Sequence, residues 1–477
     1  MSDSMLTVAV VGHTNTGKTS LMRTLMRDAG FGEVSIHPAT TRHVEGAAVL
    51  ANGRKVMALY DTPGLEDSIG LLEHLDGLAG GRRADGIELV IQFLDSPKAE
   101  SDFAQEAKAL RQVLVSDVAL YVIDARDRVL GKHRDELEIL GRCATPIVPV
   151  LNFTAFDDAK VSLWREHLSR VNMHAVAEFD TVVFDEVCEQ RLYEKMRTLL
   201  DAHEATLNTL IEDRRRQRIA VIKASADLVS DLLIDAAAYA MFVPMNDAGQ
   251  AEAALKRLRN DVCAREQRCV DQLLELHRFS SDDCDSEAIP IEDGKWGLDL
   301  FAPEALKQFG IKVGGGAATG AAIGFVLEMM TAGASLGALT AIGAAVGGVI
   351  GAGRSHGRRL MRRAQGETEL RIDDATLRLL GTRQIMLTRA LLRRGHAAQQ
   401  PVSMDQPRRL NLPSVSAPKL PVTLQQARNQ PAWSRIAGVD SSGYRPLAPA
   451  RQDAVSALAK HVGEIIQRPA DAAIQFP

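Results

Sequence analysis

Runs rich in apolar residues predict the strands of a buried sheet in the first third of the chain. They occupy residues 6–11, 54–60, 117–124 and 146–151. Apolar runs of this length are typical of parallel strands that are covered on both faces. Residues 20–26 and 101–115 instead show helical spacing. Strands that alternate with helices predict an α/β domain with a mostly parallel sheet and helices on both faces.

Helical periodicity dominates the chain beyond about residue 186. Residues 186–214 are charged and periodic, residues 219–243 are mostly apolar, and residues 247–279 carry one apolar stripe. That stripe comprises Leu255, Leu258, Val262, Cys269, Leu273 and Leu276. Three aspartates recur at every fourth position and therefore share one helix face, which we expect to be solvated. They are Asp227, Asp231 and Asp235. These patterns predict an all-α domain.

A segment rich in Gly and Ala covers residues 311–353. Its only charged residues are Lys312 and Glu328, and Gly recurs at every fourth position in 316–324 and in 343–351. Small residues at this spacing let helices approach closely, so the segment predicts a helical hairpin. Two helices of about twenty residues would match the thickness of a bilayer core, and arginines follow the segment. Because Glu328 is costly at depth, a tightly packed hairpin outside the membrane stays open as the alternative.

Composition and charge narrow the class of protein. The formal net charge is -5 and the isoelectric point is about 6.2, which gives no global sign of nucleic-acid binding. The chain has five cysteines and no Cys-x-x-Cys pair, which is typical of free thiols in a reducing compartment. The amino terminus has no signal-peptide pattern, so we expect a cytosolic location. The basic run 214–218 predicts a solvated helix face, with phospholipid or RNA contact as the alternative.

A phosphate-binding motif follows the first predicted strand. Residues 12–19 read Gly-His-Thr-Asn-Thr-Gly-Lys-Thr, which fits the P-loop pattern G-x-x-x-x-G-K-[ST] between a strand and a helix. Backbone N–H groups of such a turn point at phosphate oxygens, aided by the positive end of the helix. Lys18 is expected to reach the β- and γ-phosphates, and the Thr19 hydroxyl to bind Mg²⁺. The predicted nucleotide-binding residues here are His13, Thr14, Asn15, Thr16, Gly17, Lys18, Thr19 and Ser20.

Two later segments carry further candidate groups for the same chemistry. Thr40 and Thr41 lie in a loop after the first helix, where a threonine can fold over the γ-phosphate and bind Mg²⁺. The strand over 54–60 ends in Asp61-Thr62-Pro63-Gly64. An aspartate at a strand end can hold Mg²⁺, and the N–H of Gly64 can reach the γ-phosphate. Lys18, Thr41, Asp61 and Gly64 are therefore the predicted catalytic groups.

With these motifs, residues 5–200 resemble the translation-factor class of small GTPases. The nearest branch is that of Era and the tRNA-modification GTPases, often described as 50S ribosome-binding GTPases. The resemblance implies that Thr41, with Thr40 as the alternative, is a switch I ligand of Mg²⁺ together with Thr19 and Asp61. It also implies that Leu65 stands where Ras-like proteins carry a water-positioning glutamine, so that another group must act, such as a cation, a partner residue, Glu66 or Asp67.

The same resemblance raises the question of a potassium ion. Asn15 matches the P-loop asparagine with which potassium-activated members of this class hold a monovalent cation against the phosphates. The alternative is that Asn15 only tolerates the backbone conformation of a turn. Both interpretations stay open.

Two departures from the family pattern concern the second switch and the base site. Residues 66–116 form an unusually long insertion after Gly64, which is either a lid, a partner surface or a passive addition. The base motif N-K-x-D is replaced by Asn152-Phe153-Thr154-Ala155. Asn152 is kept as a predicted nucleotide-binding residue. The missing carboxylate at Ala155 removes a charge-assisted contact worth about 1.5–3 kcal/mol, so guanine specificity rests on the resemblance.

Together these features predict a GTPase domain over residues 1–203, a helical domain over 204–400 and a flexible tail over 401–477 with a short helix near 451–467. The predicted function is hydrolysis of GTP to GDP and phosphate as a conformational switch that uses Mg²⁺. Partners left open are a membrane reached through 311–353, the ribosome or RNA, and a second copy in a nucleotide-dependent dimer. A location at the cytoplasmic face of the inner membrane and a scaffold with little turnover also stay open.

Overall fold

The computed structural model describes residues 5–27, 45–80, 84–183, 185–244, 247–279, 291–292, 295–308, 325–327, 367–393, 420–436 and 448–468. These residues belong to two compact units. The first comprises residues 1–218 and 392–400, and the second comprises residues 219–391 and 401–477. The division at 218 falls within one long helix, whereas the sequence placed the boundary at 203.

A six-stranded sheet forms the centre of the first unit. Its strand order is β2-β3-β1-β4-β5-β6, and every pair is parallel except β2 with β3. The strands are β1 (Leu6–Val11), β2 (Glu45–Ala51), β3 (Arg54–Asp61), β4 (Val118–Asp124), β5 (Ile147–Asn152) and β6 (Ala177–Glu178). Buried apolar clusters cover both faces of the sheet. The predicted α/β fold with a mostly parallel sheet is thus confirmed.

Helices pack on both faces of the sheet, and the last two of them follow its last strand, β6. They are α1 (Lys18–Met26), α2 (Ser68–Ala79), α3 (Gly86–Leu94), α4 (Ala104–Leu114), α5 (Gly131–Gly141), α6 (Val161–Arg170), α7 (Glu186–Arg197) and α8 (Glu204–Ala238). The long insertion after Gly64 thus consists largely of α2, α3 and α4. The periodic stretch 186–214 is divided between α7 and the start of α8, and Leu200 and His203 are buried in the connection between the two helices.

The second unit is largely helical, as predicted, and adds short strands. Its elements after α8 are β7 (Met241–Pro244), α9 (Ala248–Leu276), β8 (Ile291–Glu292), β9 (Lys295–Trp296), α10 (Pro303–Gln308), β10 (Phe325–Leu327), β11 (Glu367–Ile372), α12 (Asp374–Arg393), α13 (Val422–Arg428) and α14 (Pro449–Gln467). β10, β11 and β7 form an antiparallel sheet in that order.

The Gly/Ala-rich hairpin over 311–353 lies outside the described residues apart from 325–327. Those three residues form β10 rather than a helix, since aromatic and β-branched side chains favour pairing with β11. Among the described residues, no helix is both long and apolar enough to cross a bilayer.

Two expectations about solvent-exposed segments are wrong. Residues 420–436, expected to be flexible, contain α13, on which Leu424 and Ala427 are fully buried. The aspartate face of α8 is not uniformly solvated either. Asp235 is 0% exposed because arginines surround it. The short helix expected near 451–467 is present as α14.

Candidate phosphate and base site

The turn between β1 and α1 has the backbone geometry of a phosphate-binding loop. Gly12 and Gly17 adopt positive φ angles of 143° and 90°, which residues with a Cβ rarely adopt. A Cβ at Gly12 would lie 2.4 Å from the carbonyl oxygen of Val122, and one at Gly17 would lie 2.3 Å from Asn152 Nδ2. Only glycine fits both positions, so the pattern glycines of the motif are required by this packing.

Lys18, Thr19 and Asp61 converge at the open end of this loop. Lys18 is 7% exposed, and its Nζ donates to the carbonyl oxygens of Gly12 (3.2 Å) and His13 (2.8 Å). Thr19 Oγ1 donates to Asp61 Oδ2 at 2.5 Å. Burial lowers the pKa of Lys18, and the negative charges of Asp61, Glu136 and Glu66 oppose that shift. A hydroxyl and a carboxylate beside the lysine are the oxygen ligands that Mg²⁺ takes together with substrate phosphates. The predicted grouping of these three residues is therefore present.

The segment after Asp61 lies directly against the P-loop. A Cβ at Gly64 would lie 2.8 Å from the side chain of Thr14. The N–H of Leu65 donates to the carbonyl oxygen of Gly12 at 3.4 Å, and the Leu65 side chain is fully buried. Because Leu65 faces the core, it cannot orient a water molecule at the phosphates.

His13 connects the P-loop to a buried carboxylate on α5. Its Nδ1 lies 3.0 Å from the carbonyl oxygen of Leu65 and 3.1 Å from Glu136 Oε1. Glu136 is 0% exposed, and its Oε2 accepts the hydroxyl of Tyr121 at 2.5 Å. Burial, followed by the charge of Glu136, raises the pKa of Tyr121, so this hydroxyl stays protonated and donates. The sequence predicted His13 as a nucleotide-binding residue of the loop and gave no signal for its contact with Glu136.

The insertion contributes a second buried carboxylate to this region. Glu106 on α4 is 4% exposed, and its Oε1 accepts the N–H groups of Glu66 (3.1 Å) and Asp67 (3.0 Å). Asp67 itself caps α2 by accepting the N–H of Gly70 at 2.9 Å. The Asp67 carboxylate is thus engaged in helix capping, whereas the exposed Glu66 side chain lies close enough to Lys18 to affect its pKa.

Asn152 joins three loops at the end of β5. Its Nδ2 donates to the carbonyl oxygen of Thr16 at 2.9 Å. Its Oδ1 accepts the N–H groups of Phe153 (2.9 Å) and Thr181 (3.0 Å). Asn152 is fully buried, so its contribution is to bind the P-loop to the loop that follows β6.

Phe153 and Arg126 form a stacked pair beside Asn152. The guanidinium of Arg126 lies 4.2 Å from the centroid of the Phe153 ring. Asp124 holds the guanidinium through bonds of 2.9 Å from Nε and 2.6 Å from Nη2, and this pairing raises the pKa of Arg126. Phe153 also approaches the P-loop, since its Cζ would be 3.2 Å from a Cβ on Gly17. An aromatic ring therefore lies beside the loop where the family pattern has a lysine.

The remaining predicted residues have different outcomes. Thr40 and Thr41 lie outside the described residues. Ser20 is in the first turn of α1 and is buried, and Thr16 Oγ1 donates to the carbonyl oxygen of His13 at 3.0 Å. Asn15 is exposed and has a φ of 62°, a left-handed conformation that asparagine tolerates well.

The basic run 214–218 is not a fully solvated face. Arg214 is 7% exposed, donates to the carbonyl oxygen of Leu25 at 3.0 Å and pairs with Glu189 at 3.3 Å. Arg218 pairs with Glu186 at 2.8 Å. The run therefore attaches the start of α8 to the sheet domain, and the prediction of a solvated face is wrong for Arg214.

Comparison with known families gives two matches along the chain. The model of the family described as 50S ribosome-binding GTPase matches residues 7–153. The model described as Domain of unknown function (DUF3482) matches residues 165–459, more than half of the chain. No curated protein matches.

Solved structures with similarity to the chain include two of Era and one of the translation elongation factor SelB. Era in complex with MgGDPNP and nucleotides 1506–1542 of 16S ribosomal RNA is 16% identical, with 37% of this chain and 51% of that chain covered and a TM-score of 0.28. An Aquifex aeolicus Era variant bound to GDP and aluminium fluoride is 15% identical, with 47% and 67% covered and a TM-score of 0.28. SelB from Methanococcus maripaludis with GppNHp is 17% identical, with 44% and 35% covered and a TM-score of 0.25. The chain spans about half the length of the first of these structures.

The family matches agree with the two-part organisation of the chain. The P-loop, Asp61-Thr62-Pro63-Gly64 and Asn152 all lie within the GTPase match, at the carboxyl ends of parallel strands. The other match begins at residue 165, within the first unit, and extends over most of the helical second unit. The chain therefore belongs to the family of the DUF3482 domain, and its residues 7–153 match the GTPase family described as 50S ribosome-binding GTPase.

Proposed function

We propose that the protein binds GTP with Mg²⁺ and hydrolyses it to GDP and phosphate as a conformational switch. The observation that carries this proposal is that Lys18, Thr19 and Asp61 lie together at the P-loop. Lys18 bonds the loop carbonyls, and Thr19 bonds Asp61. The match of residues 7–153 to a GTPase family supports the choice of nucleotide.

Each group has a distinct part in this proposal. The Thr19 hydroxyl and the Asp61 carboxylate would hold Mg²⁺, which neutralises charge on the β- and γ-phosphates. Lys18 would bind the same phosphates, and the Gly64 N–H would sense the γ-phosphate. Thr41 is proposed as the switch I ligand. Loss of the γ-phosphate would then release the segments that carry Thr41 and Gly64.

Nucleotide binding by the purified protein tests the proposal. Lys18→Ala and Asp61→Ala should each weaken binding of a fluorescent GTP analogue at least about tenfold, because each removes a charged contact to the phosphates or Mg²⁺. Lys55→Ala is the matched control, since Lys55 is exposed on β3. Circular dichroism shows whether each variant is folded. Folded variants that bind as tightly as the wild type would refute the phosphate site.

A bound potassium ion is a further part of the proposal. Because Leu65 is buried, transition-state charge must be stabilised by another group, and the Asn15 amide oxygen lies on the loop that wraps the phosphates. Hydrolysis should be faster in KCl than in NaCl at equal ionic strength, and Asn15→Ala should remove the difference. Asn15→Gly keeps the left-handed backbone without the amide, so a potassium effect that survives in that variant argues for a turn role only.

The partner is a separate question. The name of the family that matches residues 7–153 makes the large ribosomal subunit the first candidate. Sedimentation of cell extracts with GDP or a non-hydrolysable GTP analogue would show nucleotide-dependent comigration with 50S particles. Recovery of the protein in the detergent extract of membranes would favour membrane association instead. A shift to the size of a dimer with the GTP analogue would favour a nucleotide-dependent dimer.

A further inference from the structure

The base site contains a carboxylate that the sequence motif does not supply. Ala155 stands where the family pattern has an aspartate, and the N–H of Ala155 donates to Asp180 Oδ2 at 2.9 Å. Asp180 follows β6 and comes from a different loop. It is only 7% exposed. A carboxylate therefore lies within hydrogen-bond distance of the backbone at position 155, although no acidic side chain is encoded there.

Neighbouring contacts place Asp180 beside the other groups of the base site. Its Oδ1 accepts the N–H groups of Val182 (2.8 Å) and Val183 (2.9 Å). Thr181, which lies between Asp180 and Val182, donates its N–H to Asn152, and Asn152 in turn binds the P-loop. The hydroxyl of Thr181 is buried and has no hydrogen-bond partner among the described residues. The loop thus joins a carboxylate, two amide donors and an unsatisfied hydroxyl.

The edges of the purine bases differ in a way that this set of groups can read. Guanine presents an acceptor at O6 and donors at N1 and the 2-amino group, whereas adenine presents a donor at N6 and an acceptor at N1. A carboxylate accepts from both guanine donors and repels the lone pair of adenine N1. Buried groups that hydrogen-bond a ligand discriminate strongly against an analogue that leaves them unpaired.

We propose that Asp180 supplies the carboxylate that reads guanine, in place of the acidic residue absent at position 155. The inference rests on the proposed function and assigns the base specificity of the same site. In the free protein, Asp180 accepts the loop amides that would otherwise lack partners. A guanine base takes the amides of Val182 and Val183 with its O6, and the released Oδ1 accepts N1–H. Oδ2 accepts the 2-amino group while it keeps the Ala155 N–H.

This exchange is consistent with the acceptor capacity of a carboxylate. Two oxygens offer about four acceptor sites, and three are used in the described structure. With guanine bound, Oδ1 accepts one N–H and Oδ2 accepts two, so the total stays at three. Adenine offers no acceptor at the position of O6, so the N–H groups of Val182 and Val183 stay bonded to Asp180. The lone pair of adenine N1 then faces the negative charge of Asp180.

Competition binding against a fluorescent GTP analogue tests the inference in the full chain. The wild type should prefer GTP over ATP, and also over ITP, which lacks the 2-amino group. Each lost charged contact should lower the affinity roughly 10- to 100-fold. Asp180→Ala should bring GTP, ITP and ATP to within about threefold of one another. Asp157→Ala is the control, since Asp157 is an exposed carboxylate of the neighbouring loop.

Two further variants separate reading of the base from support of the loop. Asp180→Asn keeps an oxygen for the Val182 and Val183 amides and places an NH₂ donor toward the base, so it should weaken GTP and strengthen XTP, which has a carbonyl at C2. Ala155→Asp in the Asp180→Ala background should restore the preference for GTP by returning a carboxylate to the same place.

The outcomes distinguish this inference from the proposed function. If the wild type binds GTP and both Asp180 variants keep its ratio of GTP to ATP affinity, Asp180 does not read the base. The GTPase proposal would still stand. Equal affinities of the wild type for GTP and ATP likewise overturn the role of Asp180. A wild type that binds no nucleoside triphosphate overturns the proposed function and, with it, this inference.

Discussion

The buried carboxylate of Glu106 accepts the backbone N–H of Glu66 at 3.1 Å, so the inserted helix α4 holds the residue that follows Leu65. The same oxygen accepts the N–H of Asp67 at 3.0 Å. Glu66 and Asp67 precede the first turn of α2, where N–H groups have no helical partner. Together with the Leu65–Gly12 backbone bond, these contacts fix residues 65–67 between the P-loop and the insertion.

Glu106→Ala should therefore lower the rate of GTP hydrolysis more than it lowers affinity for GTP. The two N–H groups lose their acceptor, which costs about 1–3 kcal/mol and loosens residues 65–67. Single-turnover hydrolysis and equilibrium binding, measured side by side, separate the two effects. Glu106→Gln keeps an acceptor oxygen and should recover most of the rate. Glu100→Ala, at an exposed site in the same insertion, should have no effect. Equal rates in wild type and Glu106→Ala would mean that the insertion is passive.

The contact of Glu136 with His13 and Tyr121 leads to a second prediction. Glu136→Ala should destabilise the first unit by about 2–4 kcal/mol, because it leaves the Tyr121 hydroxyl buried without its acceptor. Tyr121→Phe removes only the donor and should cost about 1 kcal/mol. Urea unfolding followed by Trp164 fluorescence, with the other tryptophans replaced by phenylalanine, measures both. In the double variant the two costs should not add, since each change removes the same bond. Additive costs would show that the two residues are not coupled.

These carboxylates show where sequence reasoning stops. The P-loop, Asp61 and the strands β1, β3, β4 and β5 were predictable because their spacing is local, and the phosphate chemistry requires those residue types in that order. The second strand was missed, although Asn52-Gly53 is a recognisable hairpin turn whose residues have φ angles of 52° and 74°. Glu106, Glu136 and Asp180 carry no local signal, because each acts on a loop that is distant in sequence.

Charge patterns were the least reliable guide in both units. The spacing of Asp227, Asp231 and Asp235 correctly indicates one face of α8, but spacing does not show whether that face meets water or arginines. Arg214 is likewise part of a basic run and yet is buried against Glu189. Whether a charged face is solvated depends on partners from elsewhere in the chain. The partners of Asp235 come from α9, from residue 435 and from α14.

The ion cluster in the second unit leads to a third prediction. Asp235 Oδ2 accepts Arg265 Nε at 2.9 Å, and Oδ1 accepts Arg451 Nη2 at 2.6 Å, with both arginines largely buried. Asp235→Ala should cost about 3–5 kcal/mol, because it leaves buried cations with too few partners. Urea unfolding reported by Trp433, in a background without the other tryptophans, measures the change in this unit.

The same face of α8 provides the control for that experiment. Asp227 lies two turns before Asp235 and has no ion pair among the described residues. Asp227→Ala should therefore change the free energy of unfolding by less than about 0.5 kcal/mol. An Asp235→Ala variant that is as stable as Asp227→Ala would mean that the cluster contributes nothing to the stability of the second unit.

The last prediction concerns pH and the buried His133 on α5. His133 is 4% exposed, its Nδ1 accepts the N–H of Leu130 at 3.2 Å, and its ring lies 4.8 Å from that of Trp164. Burial, only partly opposed by Glu136, lowers the pKa of His133 below its ordinary value. The unfolded chain therefore binds the proton more readily than the folded domain. The stability that neutral His133 contributes is present above the unfolded pKa of about 6.5 and is lost as pH falls below it.

Replacement of His133 should remove this part of the pH dependence. The free energy of unfolding of the first unit, followed by Trp164 fluorescence, should fall between pH 7.5 and 5.5 by at most about 1.4 kcal/mol per pH unit from this residue. His133→Asn keeps an acceptor for the Leu130 N–H but does not titrate. The difference in free energy of unfolding between wild type and variant should therefore become smaller as the pH falls. His74 and His167, whose pKa values are also lowered by burial, are present in both proteins and cancel in that difference. A gap that is constant across this pH range would show that His133 is protonated equally in the folded and unfolded states.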